Sequence, residues 1–376
     1  MERPMLPTLA TVPTPCLLLD EAVMTRNIAR LHARLAGTGV AFRPHLKTAK
    51  SVEVARRLMT SPAGPAMVST LREAEEFTAA GVTDLTYGVG IAPDKLDRVA
   101  AIRAAGCDLA VILDSVEQAA AIAARGDGIP ALIEIDCDGH RSGVPPEDAG
   151  RLLAIARALP PGGPRGLLTH GGESYGAKGA EALRAAAEAE RRAVVDAAGI
   201  LRAAGFAAPV VSAGSTPTFL AATRFDGLTE FRAGVSVFFD LVQAGIGVCA
   251  PEDIAISVLT EVIGHQRAKG WTITDAGWMA MSRDRGTAAQ AVDQGYGLAR
   301  DRAGRPFGDA IMIAANQEHG ILASRPGAAP PPEAPVGSRL RILPNHACAT
   351  AAAYDHYHVI GAEGEITAVW PRFGGW

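Results

Sequence analysis

Along the first two thirds of the chain, short apolar runs without polar alternation give way to Ala-rich stretches whose apolar positions recur at helical spacing. The runs are VAFRPH (40–45), AMVST (66–70), DLTYGV (84–89), DLAVILD (108–114), ALIEID (131–136), RGLLTH (165–170), PVVSAG (209–214) and LTEFRAGVSVF (228–238). Between them lie helical patterns such as REAEEFTAAG, VEQAAAIAARG and AEALRAAAEAERRAVVDAAGILRAAG. A strand buried on both faces and followed by an amphipathic helix is the unit of a parallel sheet with right-handed crossovers. Eight such units predict a (β/α)8 barrel. The rival, an open doubly wound sheet, would carry a Gly-rich dinucleotide fingerprint after its first strand, and none is present. From about residue 250 the texture changes: DIAISVLTEVIGHQ, GWTITDAGW, DAIMIAAN, SRLRILP, HYHVIGA and GEITAVW are strand-like, with turns and little helix between them. The expected architecture is therefore α/β, with the barrel over residues 16–248 and an antiparallel β domain over 249–376. The proline-rich residues 1–15 are expected to drape onto that second domain, and GAAPPPEAP (327–335) to be a surface loop.

Composition narrows the function. The chain has 376 residues, 48% of them hydrophobic and 20% charged, which excludes a disordered tail. With 36 basic against 40 acidic residues the net charge is −4, so neither nucleic acid nor an anionic membrane is the expected partner. No apolar run is long enough to span a bilayer, and the five cysteines lack framework spacing, so a reducing cytoplasm is expected. Lysine occurs only at positions 47, 50, 95, 178 and 269, which leaves lysine chemistry few candidates.

Barrel sites lie at the carboxyl ends of the strands. There Lys47 follows the first strand in RPHLK, where partial desolvation would make its amine a carbonyl nucleophile; Lys50 would sit in the first helix, and the other three lysines read as surface. An ordinary solvated lysine is the competing reading for Lys47, weakened by its position. Gly214, Ser215 and Thr216 after the seventh strand, with Gly234 and Val235 after the eighth, describe a phosphate cradle, although a capped helix start looks similar. A nucleophilic lysine beside a phosphate cradle suits a phosphate-bearing aldehyde, and pyridoxal phosphate is one. Arg141, His170 and Tyr175 are placed to meet its ring, or are satisfied structural polar groups. In the β domain, His346 and Cys348 would share one face of a strand and offer a soft divalent metal two ligands, with zinc favoured and manganese the other candidate. The bland alternative is a small buried Cys beside a core His. Gln317, His319 and Arg283 are candidate substrate contacts.

Taken together, RPHLKTAK, STLREAEEF, EIDCDGHRSGV, THGGESY, SAGSTPT, RAGVSVFFD, DAGWMAMSRDRGT, ANQEHGI and PNHACAT resemble the fold-type III pyridoxal-phosphate enzymes of the D-serine dehydratase and D-threonine aldolase family. The resemblance spans nearly the whole chain. It implies an alanine-racemase-like barrel, a β domain and a homodimer. It also implies Lys47 as the Schiff-base lysine, His346 and Cys348 as metal ligands, Arg141 and Tyr175 near the cofactor ring, and the two glycine turns on its phosphate. The implied activity is dehydration of a D-configured β-hydroxy amino acid such as D-threo-3-hydroxyaspartate or D-serine, giving a 2-oxo acid and ammonia. Retro-aldol cleavage is the alternative, disfavoured because the family's aldolases tend to carry Asp where Cys348 stands. A racemase would need no metal, and a non-catalytic carrier of the cofactor would need no β domain.

Overall fold

The computed structural model describes residues 6–139 and 141–376, which divide into two compact units, one within 30–234 with 374–376 and the other 6–29 with 235–373. In the first unit eight parallel strands form one sheet: Ala41–Phe42, Glu230–Phe231, Val210–Ala213, Gly166–Thr169, Ala131–Ile135, Asp108–Leu113, Asp84–Gly90 and Ala66–Val68. The two ends meet, because His45 bridges to Met67 and Leu46 N–H donates to the Met67 carbonyl at 2.8 Å. The predicted (β/α)8 barrel is thus closed. Met67, Ala110, Ile112, Leu132 and Leu168 fill part of its interior, as the unalternating apolar runs require.

Two local expectations fail here. The eighth run, predicted as strand over 228–238, is paired only at Glu230–Phe231, and Val235–Val237 is a short 3₁₀ turn. Its later residues are apolar because they are buried (Val237 and Phe238 are almost fully covered), not because they join a ladder. Lys50 stands outside the first barrel helix with φ 45°, and the helix starts at Val52 after Ser51. Its ammonium pairs with buried Glu73 at 3.2 Å.

The second unit is a nine-stranded, mainly antiparallel sheet. Six strands close into a ring in the order Trp271–Thr274, Gly320–Ser324, Pro306–Ala315, Leu298–Asp301, Arg339–Leu343 and Ile256–Gln266, the last pairing back to the first. Ile256–Gln266 also pairs with Cys16–Asp20, which continues to His356–Ile360 and Ile366–Pro371. The boundaries therefore differ from those expected: the division falls between Gly234 and Val235 rather than at 248–249, and residues 16–29 lie outside the barrel unit. The reason is Leu17, Leu18 and Leu19, whose buried run finds its partners in the antiparallel ladder. Leu9 and Val12 pack onto the same sheet with Cys16, Leu18, Leu259, Ile360 and Ile366; residues 1–5 of the leading segment lie outside the described residues. Among the described residues no helix is long and apolar enough to cross a membrane.

Candidate active site

In the barrel unit, the segment carrying Lys47 is pinned to the wall on both sides. His45 N–H donates to the Ala233 carbonyl at 2.8 Å while Leu46 N–H is held by Met67. Leu46, Thr48 and Ala49 are buried, and Lys47 between them is exposed, so the partial desolvation expected of it is not seen in this chain alone. A rigid turn bearing one free amine is what a covalent attachment point needs. His45 faces Ser69 at 3.2 Å, and burial, with the charges of Lys47 and Arg232, pushes its imidazole well below the ordinary range.

The two glycine turns come together: Gly234 N–H donates to the Thr216 hydroxyl at 3.4 Å. Gly214 adopts φ +149°, and a Cβ there would lie 2.1 Å from the Arg232 carbonyl oxygen, so the close approach demands glycine. Ser215 caps the helix Thr216–Ala221, its hydroxyl accepting from Thr218 N–H and meeting Ser174 at 2.9 Å. Its hydroxyl is thereby largely committed, which leaves backbone N–H groups as the main donors of a phosphate cradle. Val235 follows and opens the 3₁₀ turn. His170 Nδ1–H donates to the Gly214 carbonyl, 2.8 Å away, and burial pushes the imidazole down to about 3, so it is neutral at physiological pH. Tyr175 is exposed on the neighbouring 3₁₀ turn. Arg141 is half exposed and pairs with buried Glu134 at 3.4 Å. Beneath this mouth, sequence reasoning missed two buried charges. The Arg232 guanidinium holds Ser212 at 2.8 Å and the Thr169 carbonyl, and Glu190 receives Gly171 N–H at 2.6 Å and Gly214 N–H at 3.1 Å. The signal for Arg232 was available, a charge inside an otherwise apolar strand run.

In the antiparallel unit, His346 and Cys348 do not lie on a strand. The strand ends at Leu343; His346 is the N-cap and Cys348 lies within the helix Ala347–Ala351. Asn345 breaks the ladder, its amide donating to the Asp284 carbonyl at 3.1 Å and the Gly295 carbonyl at 2.6 Å. The pair is nevertheless adjacent: a side-chain hydrogen bond links them, and with the Asp284 carboxylate 2.6 Å from Nδ1 it raises His346 to about 10. Asp284 thus fixes one ring nitrogen and with it the ring's orientation beside Cys348. Among the described residues no three or more His, Cys, Asp or Glu side chains form a metal-holding group. Arg283 stacks over Trp278, its guanidinium 4.3 Å from the ring. Gln317 and His319 are exposed; their loop is fixed by backbone bonds, the Gln317 carbonyl accepting from Met279 N–H at 3.2 Å and the His319 carbonyl from Asn316 N–H at 2.8 Å. Trp278 N–H donates to the Asn316 carbonyl at 2.8 Å, so Arg283 and the loop carrying Gln317 and His319 both border the short helix Trp278–Met281.

Residues 19–242 match the family model "Alanine racemase, N-terminal domain". The chain belongs to this family. Residues 255–360 match a second model, "Putative serine dehydratase domain". The chain is 55% identical to D-threo-3-hydroxyaspartate dehydratase of Delftia sp., over 98% of this chain and 99% of that one. It is 28% identical to 3-hydroxy-D-aspartate aldolase of Paracoccus denitrificans, over 96% and 91%. The solved structure of the Delftia enzyme superposes with a TM-score of 0.94 at 54% identity, covering 99% of this chain and all of that one. Alanine racemase from Bacillus anthracis, 14% identical with a TM-score of 0.65 over 96% and 98%, shares the fold alone. The resemblance read from the motifs and the alanine-racemase-like architecture are both borne out.

Proposed function

We propose that this family member is a pyridoxal-phosphate- and divalent-metal-dependent dehydratase of a D-configured β-hydroxy amino acid, D-threo-3-hydroxyaspartate foremost, releasing a 2-oxo acid and ammonia. The observation that carries the reading is the 55% identity to a dehydratase of that substrate over essentially the whole chain. Two solved relatives add support: one has alanine for a histidine, and another, described as metal-free, has alanine for a cysteine two positions further on, the spacing of His346 and Cys348.

The residues fit both groups. The glycine-only turn at Gly214 beside Thr216, Gly234 and Val235 suits a phosphate, and imidazole with thiol suits zinc, manganese being the other candidate. Once bound, the cofactor supplies an electron sink for the pair left at Cα, and the metal a Lewis acid for the departing hydroxyl. In this reading Lys47 holds the cofactor and its Nζ takes the Cα proton. Arg141, neutral His170 and Tyr175 orient the ring. His346 and Cys348 hold the metal while Asp284 fixes His346. Arg283, Gln317 and His319 meet the substrate, the guanidinium being the natural partner of a second carboxylate. We place the enzyme in the cytoplasm as a homodimer; none of its five cysteines forms a disulfide, as in a reducing compartment.

The aldolase relatives keep retro-aldol cleavage as the second reading. Purified protein with pyridoxal phosphate and zinc or manganese, offered D-threo-3-hydroxyaspartate, D-serine and D-threonine separately, decides between them. Ammonia with stoichiometric 2-oxo acid is expected. Glycine and an aldehyde without ammonia would replace dehydration by aldol cleavage.

A further inference from the structure

In the antiparallel unit a cavity of about 560 Å³ is bordered by Asp20, Arg341 and Ile360 of the sheet, by the turn 361–365, and by Arg302. That is the size of a small-molecule site. Arg341 sits mid-strand, opposite Leu259 on one side and Arg300 on the other, and is 6% exposed. Its neighbours are neutralised: Arg300 pairs with Glu252 at 3.2 Å, and Arg339 with Glu261 at 3.4 Å and with the carbonyls of Leu9 and Val12. Arg341 makes no hydrogen bond or ion pair among the described residues, and its Nε is buried without a partner. The two carboxylates whose charge reaches it are engaged elsewhere, Asp20 with Val23 N–H at 2.9 Å and Asp301 with Arg305 at 2.8 Å. A buried guanidinium left uncompensated is costly, and a bound anion removes that cost.

The rest of the cavity selects the anion. Asp20, Glu363 and Glu365 line it as well, the latter two exposed at its rim. A multiply charged anion such as phosphate would meet three carboxylates, whereas a zwitterion satisfies both signs. We propose that this cavity is a second, non-catalytic binding site for a small zwitterionic amino acid, its carboxylate on Arg341 and its ammonium toward Asp20, Glu363 and Glu365. This inference does not depend on the reaction proposed above.

The probe is N,N-dimethylglycine, a zwitterion whose tertiary amine cannot condense with the cofactor's aldehyde. Calorimetric titration and thermal melts of the holoenzyme should show saturable binding and a raised Tm without any change in cofactor absorbance. Acetate should bind at least tenfold more weakly, and inorganic phosphate not saturably. Arg341→Met should abolish binding. The double variant Glu363→Gln with Glu365→Gln, at exposed positions that leave folding intact, should weaken dimethylglycine several-fold and leave acetate unchanged. Phosphate binding as well as dimethylglycine, saturable binding that survives Arg341→Met, insensitivity to the double variant, or no saturable binding of any probe would each overturn the proposal.

Discussion

Asp240 is buried, and its carboxylate receives the N–H groups of Gln243 and Ala347, each at 3.0 Å. Even so, burial lifts it from 3.8 to about 6. The folded protein therefore holds this proton more tightly than the unfolded chain does. The stabilisation is complete below pH 3.8 and disappears as pH rises through 6, a change on the order of 3 kcal/mol. Asp240→Asn cannot titrate and loses one acceptor. Its Tm deficit relative to wild type should accordingly be larger at pH 5 than at pH 8, which melts at the two pH values would measure. A constant deficit would mean that Asp240 stays ionised in the folded protein. Lys47 behaves oppositely, because its side chain is exposed and carries no packing. Lys47→Ala should leave unfolding stability within about 0.5 kcal/mol of wild type. It should cut kcat by roughly 10² to 10⁴ even with cofactor in excess, the range for losing a positioned base. Steady-state rates beside melts separate the two effects.

The elements that carry these residues are punctuated by glycines of unequal stringency. At Gly214 the positive φ and the 2.1 Å approach to the Arg232 carbonyl oxygen leave no room for any side chain. Gly214→Ala should cost at least about 2 kcal/mol and release the cofactor. A Cβ on Gly234 would stand 3.2 Å from the His45 Cβ and 3.3 Å from its carbonyl oxygen, so the neighbour must yield only slightly. Gly234→Ala should therefore keep most of its stability while lowering kcat through the displaced Lys47 turn. Comparing Tm, cofactor content and kcat of the two variants tests the ranking. Both glycines were legible because a strand end followed by Gly has few readings in a barrel. The strand Cys16–Asp20 was not, since its leucines look like any buried run and its ladder partner Ile256–Gln266 lies far along the chain. His346 and Cys348 were legible as chemistry but not as geometry. The spacing suggested a strand, whereas Asn345 and the Asp240 carboxylate, which caps Ala347 N–H, start a helix there. Asp284 appeared only inside the motif DAGWMAMSRDRGT, because nothing local links it to a histidine 62 positions later.

Across the whole molecule, the described chain runs from the antiparallel unit into the barrel within the helix Glu21–Leu35, and returns after Gly234. One strand from the N-terminal segment thus completes a sheet made otherwise of the last third of the sequence. Among the described residues, Cys16–Asp20 is the sole link in the sheet order between the six-stranded ring and the hairpin 356–371. Leu17, Leu18 and Leu19 are almost fully buried there, and each contributes about 2 kcal/mol, a sum comparable to the net stability of a domain. Every barrel strand begins after residue 40. Deleting residues 1–20 should therefore free the hairpin while leaving all eight barrel strands in the chain. Hydrogen exchange read by mass spectrometry should show His356–Pro371 losing nearly all protection, with Ala131–Ile135 and Gly166–Thr169 keeping most of theirs. Limited proteolysis should cut first beyond residue 344, because that hairpin would have lost its neighbouring strand. Simultaneous loss of protection in both regions would show that the barrel is not stable without the antiparallel unit, and that the two fold as one cooperative body.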